Sequence, residues 1–165
     1  LGACTIEACT SGFANVDNNV ANGCECVTDT YAATCAGAGA YSVGLGGSLD
    51  ITGKVTTVSG NDWFQINFTV SGVGSAYHPR IELAANPSGQ FAMDVMADCG
   101  TVATCGDGGT GAGAVAWEQN YNLYTPGPGC CADTEPRVAT RFVRVYRANA
   151  NTPTCDAYTV RASNQ

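Results

Sequence analysis

Oxygen-bearing side chains set between cysteines are the first candidates for chemistry in this sequence. Residues 4–26, CTIEACTSGFANVDNNVANGCEC, place these side chains in a short run that disulfides could hold in one conformation. Carboxylate and amide oxygens are the ligands that Ca²⁺ takes in proteins. The run therefore predicts, as one hypothesis, a calcium site formed by Asp17, Asn19, Asn22 and Glu25.

The run does not follow the helix-loop-helix calcium pattern. Counted from Asp17, the sixth position is Asn22, where that pattern needs glycine, and the twelfth is Thr28, where it needs glutamate. The alternative is that the Asp and Asn side chains bond to nearby backbone and form turns. A second oxygen pair, Asn61-Asp62, precedes the strongest strand signal and has the same two interpretations. Calcium is thus a hypothesis, and no cofactor is required.

Cysteine is abundant in this chain. The chain has ten cysteines and no feature typical of a cytosolic protein. This indicates an oxidising compartment, where disulfides persist. Five precede residue 36 and five follow it, so full pairing needs at least one bridge between the two parts. Zinc is disfavoured because Cys24-x-Cys26 is too closely spaced and the chain has one histidine. The cysteines assigned to disulfides are Cys4, Cys9, Cys24, Cys26, Cys35, Cys99, Cys105, Cys130, Cys131 and Cys155.

Residues suited to catalysis are sparse. His78 is the single histidine, and neither a G-x-S-x-G nor an H-E-x-x-H motif occurs. Because no nucleophile, base and orienting group occur together, the sequence predicts that this chain is not an enzyme. Sugar hydrolysis needs a pair of carboxylates, but any acidic chain contains such pairs by chance. The candidates here are Glu82, Asp94, Asp98, Glu118 and Glu135.

A cluster of aromatic residues and one glycosylation pattern are candidates for surface functions. Trp117, Tyr121 and Tyr124 lie close together in the sequence and could stack on sugars or anchor a protein interface. The favoured alternative is that Trp117 fills the core. Asn67-Phe68-Thr69 matches the N-glycosylation pattern, and alternation along the strand places Asn67 on the outward face.

Charge limits the classes of partner. The formal net charge of −7 disfavours nucleic acid and anionic membranes, since phosphate contacts need Lys or Arg. Only 13% of residues are charged, against roughly 25% in a typical soluble domain, so little charge opposes association. The chain begins at Leu1 without a charged, apolar leader and has no apolar run of about 18 residues. We expect a processed, secreted or cell-surface protein without membrane insertion.

Period-2 alternation is the main secondary-structure signal. In DWFQINFTV, residues 62–70, apolar Phe64, Ile66 and Phe68 alternate with polar neighbours, as in a strand with one buried face. Similar segments separated by Gly, Pro and Asn turns predict an antiparallel β-sandwich over residues 41–165. A Gly/Ala linker at 36–40 and a cysteine-rich extension at 1–35 precede it. The predicted inward side chains are Leu49, Ile51, Phe64, Ile66, Phe68, Ile81, Leu83, Phe91, Met93, Val95, Val143, Val145, Tyr158 and Val160.

Three short motifs carry a family resemblance. Asp62-Trp63-Phe64, Arg144-Val145-Tyr146 and Tyr158-Thr159-Val160 follow one another as in the bacterial pre-peptidase C-terminal (PPC) domain, which residues 41–165 resemble. The resemblance implies a jelly-roll-like β-sandwich that serves as an accessory module of secreted enzymes and surface proteins. The additional cysteines and a long insert between Val95 and Arg141 depart from that family. SGFANVDNNVANGCEC also resembles cysteine-rich repeats of bacterial secreted proteins, which implies a surface setting.

These observations predict an all-β, non-catalytic structural protein that associates with copies of itself through weakly charged surfaces, as a filament or sheath subunit. Repeated contact between two different patches gives open fibres when the rotation does not close. The alternative is an accessory binding module, derived from a secreted enzyme, that holds a polysaccharide or a surface protein.

Overall fold

The computed structural model describes residues 5–6, 8–69, 78–103, 111–119, 140–148 and 154–165. Within these ranges the chain is all-β, as predicted, with short 3₁₀ turns at Cys35–Gly37 and Pro87–Gly89. The strands are β1 (Phe13–Ala14), β2 (Cys26–Val27), β3 (Gly39–Val43), β4 (Gly47–Gly53), β5 (Asn61–Phe68), β6 (Pro79–Ala85), β7 (Phe91–Met96), β8 (Ala116–Glu118), β9 (Thr140–Arg147) and β10 (Tyr158–Asn164).

Two four-stranded sheets form the sandwich. The first sheet has the order β4-β10-β6-β8 and is antiparallel throughout. The second sheet has the order β3-β5-β9-β7, and its β3–β5 pair is parallel. The chain leaves the second sheet after β3, forms β4 in the first sheet and returns as β5, so β3 and β5 run in the same direction. The predicted antiparallel sandwich is therefore confirmed as a β-sandwich but corrected at this one pair.

The core lies between the two sheets and follows the predicted alternation. Of the predicted inward residues, Leu49 and Leu83 are only partly buried and pack against the cluster, and the others are buried. Phe64, Phe91 and Tyr158 meet edge to face, with ring centroids 5.3 Å apart for Phe91 and Tyr158. Trp117 is 1% exposed and belongs to this core. The favoured interpretation, that Trp117 fills the core, is therefore confirmed, and a buried ring offers no face to a ligand.

The N-terminal segment from residue 5 to Cys35, called the extension below, packs against the sandwich. Its β1 and β2 form a two-stranded ribbon, although residues 1–35 have no sustained strand or helix period in the sequence. The Tyr31 ring lies 4.7 Å from the Phe64 ring, and its hydroxyl donates to the Thr52 carbonyl at 3.0 Å. Residues Gly39 and Ala40, assigned to the linker, already belong to β3. The end of the predicted linker is thus part of the second sheet, and its start lies in the 3₁₀ turn Cys35–Gly37.

Disulfides also attach the extension to the sandwich. Cys9 bonds to Cys24 within the extension, whereas Cys26 bonds to Cys155 and Cys35 to Cys99 across the two parts. Cys35 precedes β3 and Cys99 follows β7, and these strands form the two edges of the second sheet. Cys4, Cys105, Cys130 and Cys131 lie outside the described residues.

Candidate functional site

The predicted calcium ligands of the extension form hydrogen-bonded turns. Asp17 accepts from the Asn19 backbone N–H at 2.8 Å and from the Asn22 amide at 2.9 Å. The Asn19 side-chain oxygen accepts from the Ala21 N–H at 3.0 Å. The hydrogen bond from the Asn19 N–H, with that from Asn22, lowers the pKa of Asp17. Three of the four predicted ligands are thus together, but the oxygens of Asp17 and Asn19 bond to the loop itself, as the alternative interpretation expected.

Glu25, the fourth predicted ligand, has a different hydrogen-bond partner from Asp17. Its carboxylate accepts from the Val16 N–H at 2.9 Å and lies near the sulfurs of Cys26 and Cys155. Those two sulfurs are joined in a disulfide, so they are not thiolates that could bind a metal ion. In the described part of the chain, this is the one group of three or more Asp, Glu, Cys or His side chains whose potential ligand atoms lie within 4.8 Å of one another.

The Asn61-Asp62 pair was expected in a turn but forms the first two residues of β5. Asp62 lies on the same face of β5 as Phe64 and Ile66 and is 6% exposed. Its carboxylate accepts from the Tyr158 hydroxyl at 2.6 Å. Alternation along the strand therefore turns this carboxylate into the sandwich, and a calcium site open to solvent at Asp62 is not compatible with that position.

The remaining predicted surface residues are only partly described. Asn67 lies on the outward face of β5, as expected, and its side-chain oxygen accepts from Gln65 at 3.0 Å and from Thr140 at 3.0 Å. Glycosylation of Asn67 stays a prediction. Tyr121 and Tyr124 lie outside the described residues.

Exposed apolar side chains occur at both ends of the sandwich. We call the end where β4 finishes and β10 begins, at the paired Gly53 and Tyr158, the extension end, because the extension is bonded there. Phe13 and Val27 face each other across the β1–β2 ribbon and are 47% and 55% exposed. At the opposite end, in the turn between β3 and β4, Leu45 is 51% exposed.

An open groove lies on the outer face of the first sheet, and its volume is about 660 Å³. Arg161 on β10 is directly opposite Asp50 on β4 and Glu82 on β6. The guanidinium of Arg161 donates twice to Asp50, each at 2.8 Å. These hydrogen bonds lower the pKa of the Asp50 carboxyl and raise that of Arg161.

A second row of side chains continues the groove. Arg80 is opposite Ser163 on β10 and Glu118 on β8. Its guanidinium lies 2.6 Å from Glu82 and 3.5 Å from Glu118. His78 lines the end of the groove beside the last residues of β10. The groove is therefore a row of carboxylates, guanidiniums and hydroxyls held on adjacent strands.

No local pattern in the sequence brings the groove residues together. Glu82 and Glu118 occur there only as chance carboxylates, and Arg80 and Arg161 belong to no functional motif. The available signal was the two-residue spacing of Arg80 with Glu82 and of Arg161 with Ser163, which places each pair on one face of a strand. The pairing of β10 with β6 and β4, which brings the strands together, is a long-range property.

The fold and these surfaces define a disulfide-linked β-sandwich that carries a small N-terminal extension. No protein-family model and no curated protein match the chain. Among solved structures, the chain is distantly similar to the pre-peptidase C-terminal domain of collagenase from Bacillus anthracis, at 12% identity and a TM-score of 0.35. The alignment covers 78% of this chain and 96% of that chain. The described residues contain no helix long and apolar enough to span a membrane.

Proposed function

We propose that this chain is a secreted or cell-surface structural protein whose copies join end to end into a filament or sheath. The observation that supports this proposal is the exposure of large apolar side chains at both ends of the sandwich, Phe13 with Val27 at one end and Leu45 at the other. Exposed apolar side chains that lie together, as Phe13 and Val27 do, are typical of contact sites. Different exposed apolar side chains at opposite ends favour a head-to-tail contact, which builds open fibres when the rotation does not close.

The attachment of the extension supports the same proposal. Cys26–Cys155 and the hydrogen bond from the Lys54 N–H to Asp29, at 2.6 Å, hold the β1–β2 ribbon against the sandwich. A ribbon that is already fixed loses little conformational entropy when it docks on another copy. The low fraction of charged residues, 13%, also leaves little electrostatic repulsion between copies.

The secreted setting and the family are parts of the proposal. Three disulfides in the described residues are typical of an oxidising compartment. We infer PPC-type ancestry from three motifs that contact one another: Trp63 pairs with Arg144 across β5 and β9, and Asp62 bonds to Tyr158. The PPC resemblance further implies an accessory, non-catalytic module.

Negative-stain electron microscopy of the unreduced protein near neutral pH tests the assembly. We expect ordered filaments or sheets from the natural sequence. Phe13→Ser combined with Val27→Ser removes the apolar pair of the ribbon and should abolish or shorten them. Val115→Ser is the matched control, because Val115 is 64% exposed but lies beside β8 rather than on the ribbon.

Two outcomes contradict the proposal: uniform small particles of the natural protein, or equal assembly by the double variant and the natural protein. An aliquot treated with a chelator tests calcium separately. Loss of order on chelation would support a calcium site near Asp17 and Asn19, and unchanged order would count against a calcium-dependent assembly.

A further inference from the structure

We propose that the groove on the outer face of the first sheet binds a neutral, polyhydroxylated glycan. This inference is independent of the end-to-end assembly, because the groove lies on a sheet face and contains neither Phe13 nor Leu45. A volume of about 660 Å³ lies within the usual range of small-molecule binding pockets.

The charge of the groove is nearly balanced by its own ion pairs. Three carboxylates, Asp50, Glu82 and Glu118, face two guanidiniums, Arg80 and Arg161, so the five side chains sum to −1. A polyanion would be repelled by this negative charge and by the net charge of −7 on the whole chain. An apolar ligand would lose the solvation of these groups without replacing their hydrogen bonds. A neutral polar ligand avoids both costs.

The paired side chains keep hydrogen-bonding capacity for such a ligand. The Arg161 and Asp50 side chains are each 46% exposed, and a carboxylate has about four acceptor positions whereas a guanidinium has five N–H donors. The two hydrogen bonds between Arg161 and Asp50 therefore leave further N–H donors of the guanidinium beside further acceptor positions of the carboxylate. A sugar hydroxyl both donates and accepts, so it can bond to the two members of a pair at once.

The groove is ordered before any ligand arrives. Arg161 is held by two hydrogen bonds to Asp50, and Arg80 lies between Glu82 and Glu118. Fixing these long side chains in advance lowers the entropy cost of binding. Because the described lining has no Trp, Tyr or Phe side chain, we expect roughly millimolar affinity for one short oligosaccharide, and stronger binding only when several copies engage one polymer.

Saturation-transfer difference NMR with defined probes tests the proposal. The neutral probes are cellohexaose, chitohexaose and maltohexaose, and the charged probes are polygalacturonate and oligolysine. We expect at least one neutral hexasaccharide to bind, with little change on raising NaCl to about 0.5 M, because no net charge is neutralised. Asp50→Asn combined with Arg161→Gln should weaken that binding at least about tenfold.

The matched control is Asp94→Asn combined with Arg144→Gln, which removes an ion pair of 3.7 Å from the other sheet. Binding should survive in this control, and thermal unfolding of both double variants establishes that they fold. The proposal is overturned if no neutral hexasaccharide binds, if both double variants lose binding equally, or if only a charged probe binds and salt abolishes it. None of these results bears on filament formation.

Discussion

Among single residues, Asp62 has the least expected environment, because a predicted calcium ligand is buried in the sandwich. It is 6% exposed and bonds to the Tyr158 hydroxyl. Burial, the largest cause, raises the pKa of Asp62 to about 6, although the hydrogen bond from Tyr158 opposes the rise. Burial and the nearby Asp62 charge also raise the pKa of Tyr158, so the tyrosine remains a donor. The sandwich thus holds a desolvated carboxylate at neutral pH.

We predict that this carboxylate makes the protein more stable in mild acid than at neutral pH. The pKa of Asp62 in the folded state, about 6, lies above the ordinary value of 3.8. Its contribution to stability is therefore complete below 3.8 and is lost as the pH rises through 6. A difference of this size corresponds to about 2–3 kcal/mol, measured by urea unfolding between about pH 4 and pH 7.

Asp62→Asn is the control for this pH dependence. The amide oxygen can still accept from the Tyr158 hydroxyl but does not ionise, so the variant should have a flatter stability profile in the same range. Other carboxyls have lowered pKa values, so the stability that they contribute is lost only at lower pH. These are the carboxyls of Asp17, Asp50, Asp98 and Asp156. An unchanged slope in Asp62→Asn would refute the assignment to Asp62.

At the scale of elements, the end of β4 is tightly covered by aromatic residues. Gly53 pairs with Tyr158 of β10, and a β-carbon at this position would overlap the Tyr158 hydroxyl and approach the Tyr31 ring to 2.9 Å. Glycine therefore lets the first sheet, the extension and the Asp62–Tyr158 hydrogen bond meet at one point. The close approach ties the position of the extension to the register of β4 and β10.

We predict that Gly53→Ala destabilises the fold by about 1–3 kcal/mol, since the tyrosines must move to accommodate the methyl group. Gly44→Ala is the matched control, because its added β-carbon meets no atom within 4 Å. That variant should lie within about 0.5 kcal/mol of the natural protein. Equal urea midpoints for the two variants would contradict the close packing of Tyr158 against Gly53.

Arg147 shows how one side chain joins several elements at the same end. It is 7% exposed, stacks over the Phe91 ring at 5.0 Å and donates to the Val55 carbonyl at 2.8 Å and to the Thr154 carbonyl at 2.8 Å. It thereby connects β9 with the segment after β4 and the approach to β10. Burial lowers the pKa of Arg147, but these carbonyls accept charge-assisted hydrogen bonds from its guanidinium.

At the scale of the whole molecule, the disulfides divide into local and long-range bridges. Cys9–Cys24 closes a separation of 15 residues, whereas Cys26–Cys155 spans 129. A longer closed loop restricts the unfolded chain more strongly. The long bridge also fixes the ribbon to the start of β10, so it couples the stability of the sandwich to the position of the proposed contact surface.

We predict that replacing both Cys26 and Cys155 by alanine lowers the free energy of unfolding more than replacing both Cys9 and Cys24. The chain-entropy model gives a difference of about 1–2 kcal/mol. Urea unfolding of the two double variants at one pH measures it. The same or a smaller loss for Cys26 and Cys155 would mean that the extension is held mainly by its noncovalent contacts.

Most strands of the sandwich and most of its core can be predicted from the sequence, whereas the β1–β2 ribbon cannot. Period-2 alternation is local, so it identified β5, β6, β7, β9 and β10 and the buried faces on which Phe64, Ile81 and Val145 lie. The composition likewise pointed to disulfides before any pairing was known. Alternation depends on neighbours in the chain and the disulfide expectation depends on composition, so the sequence alone is sufficient for both.

Which distant residues meet depends on the complete fold. The fold pairs Cys26 with Cys155, places β3 parallel to β5, buries Asp62, and brings Asp50, Glu82 and Arg161 into one groove. Alternation places a side chain on a face but does not state which strand lies beside it or what covers that face. Strand order is set by how the whole set of apolar faces is buried together, so it is a property of the complete fold.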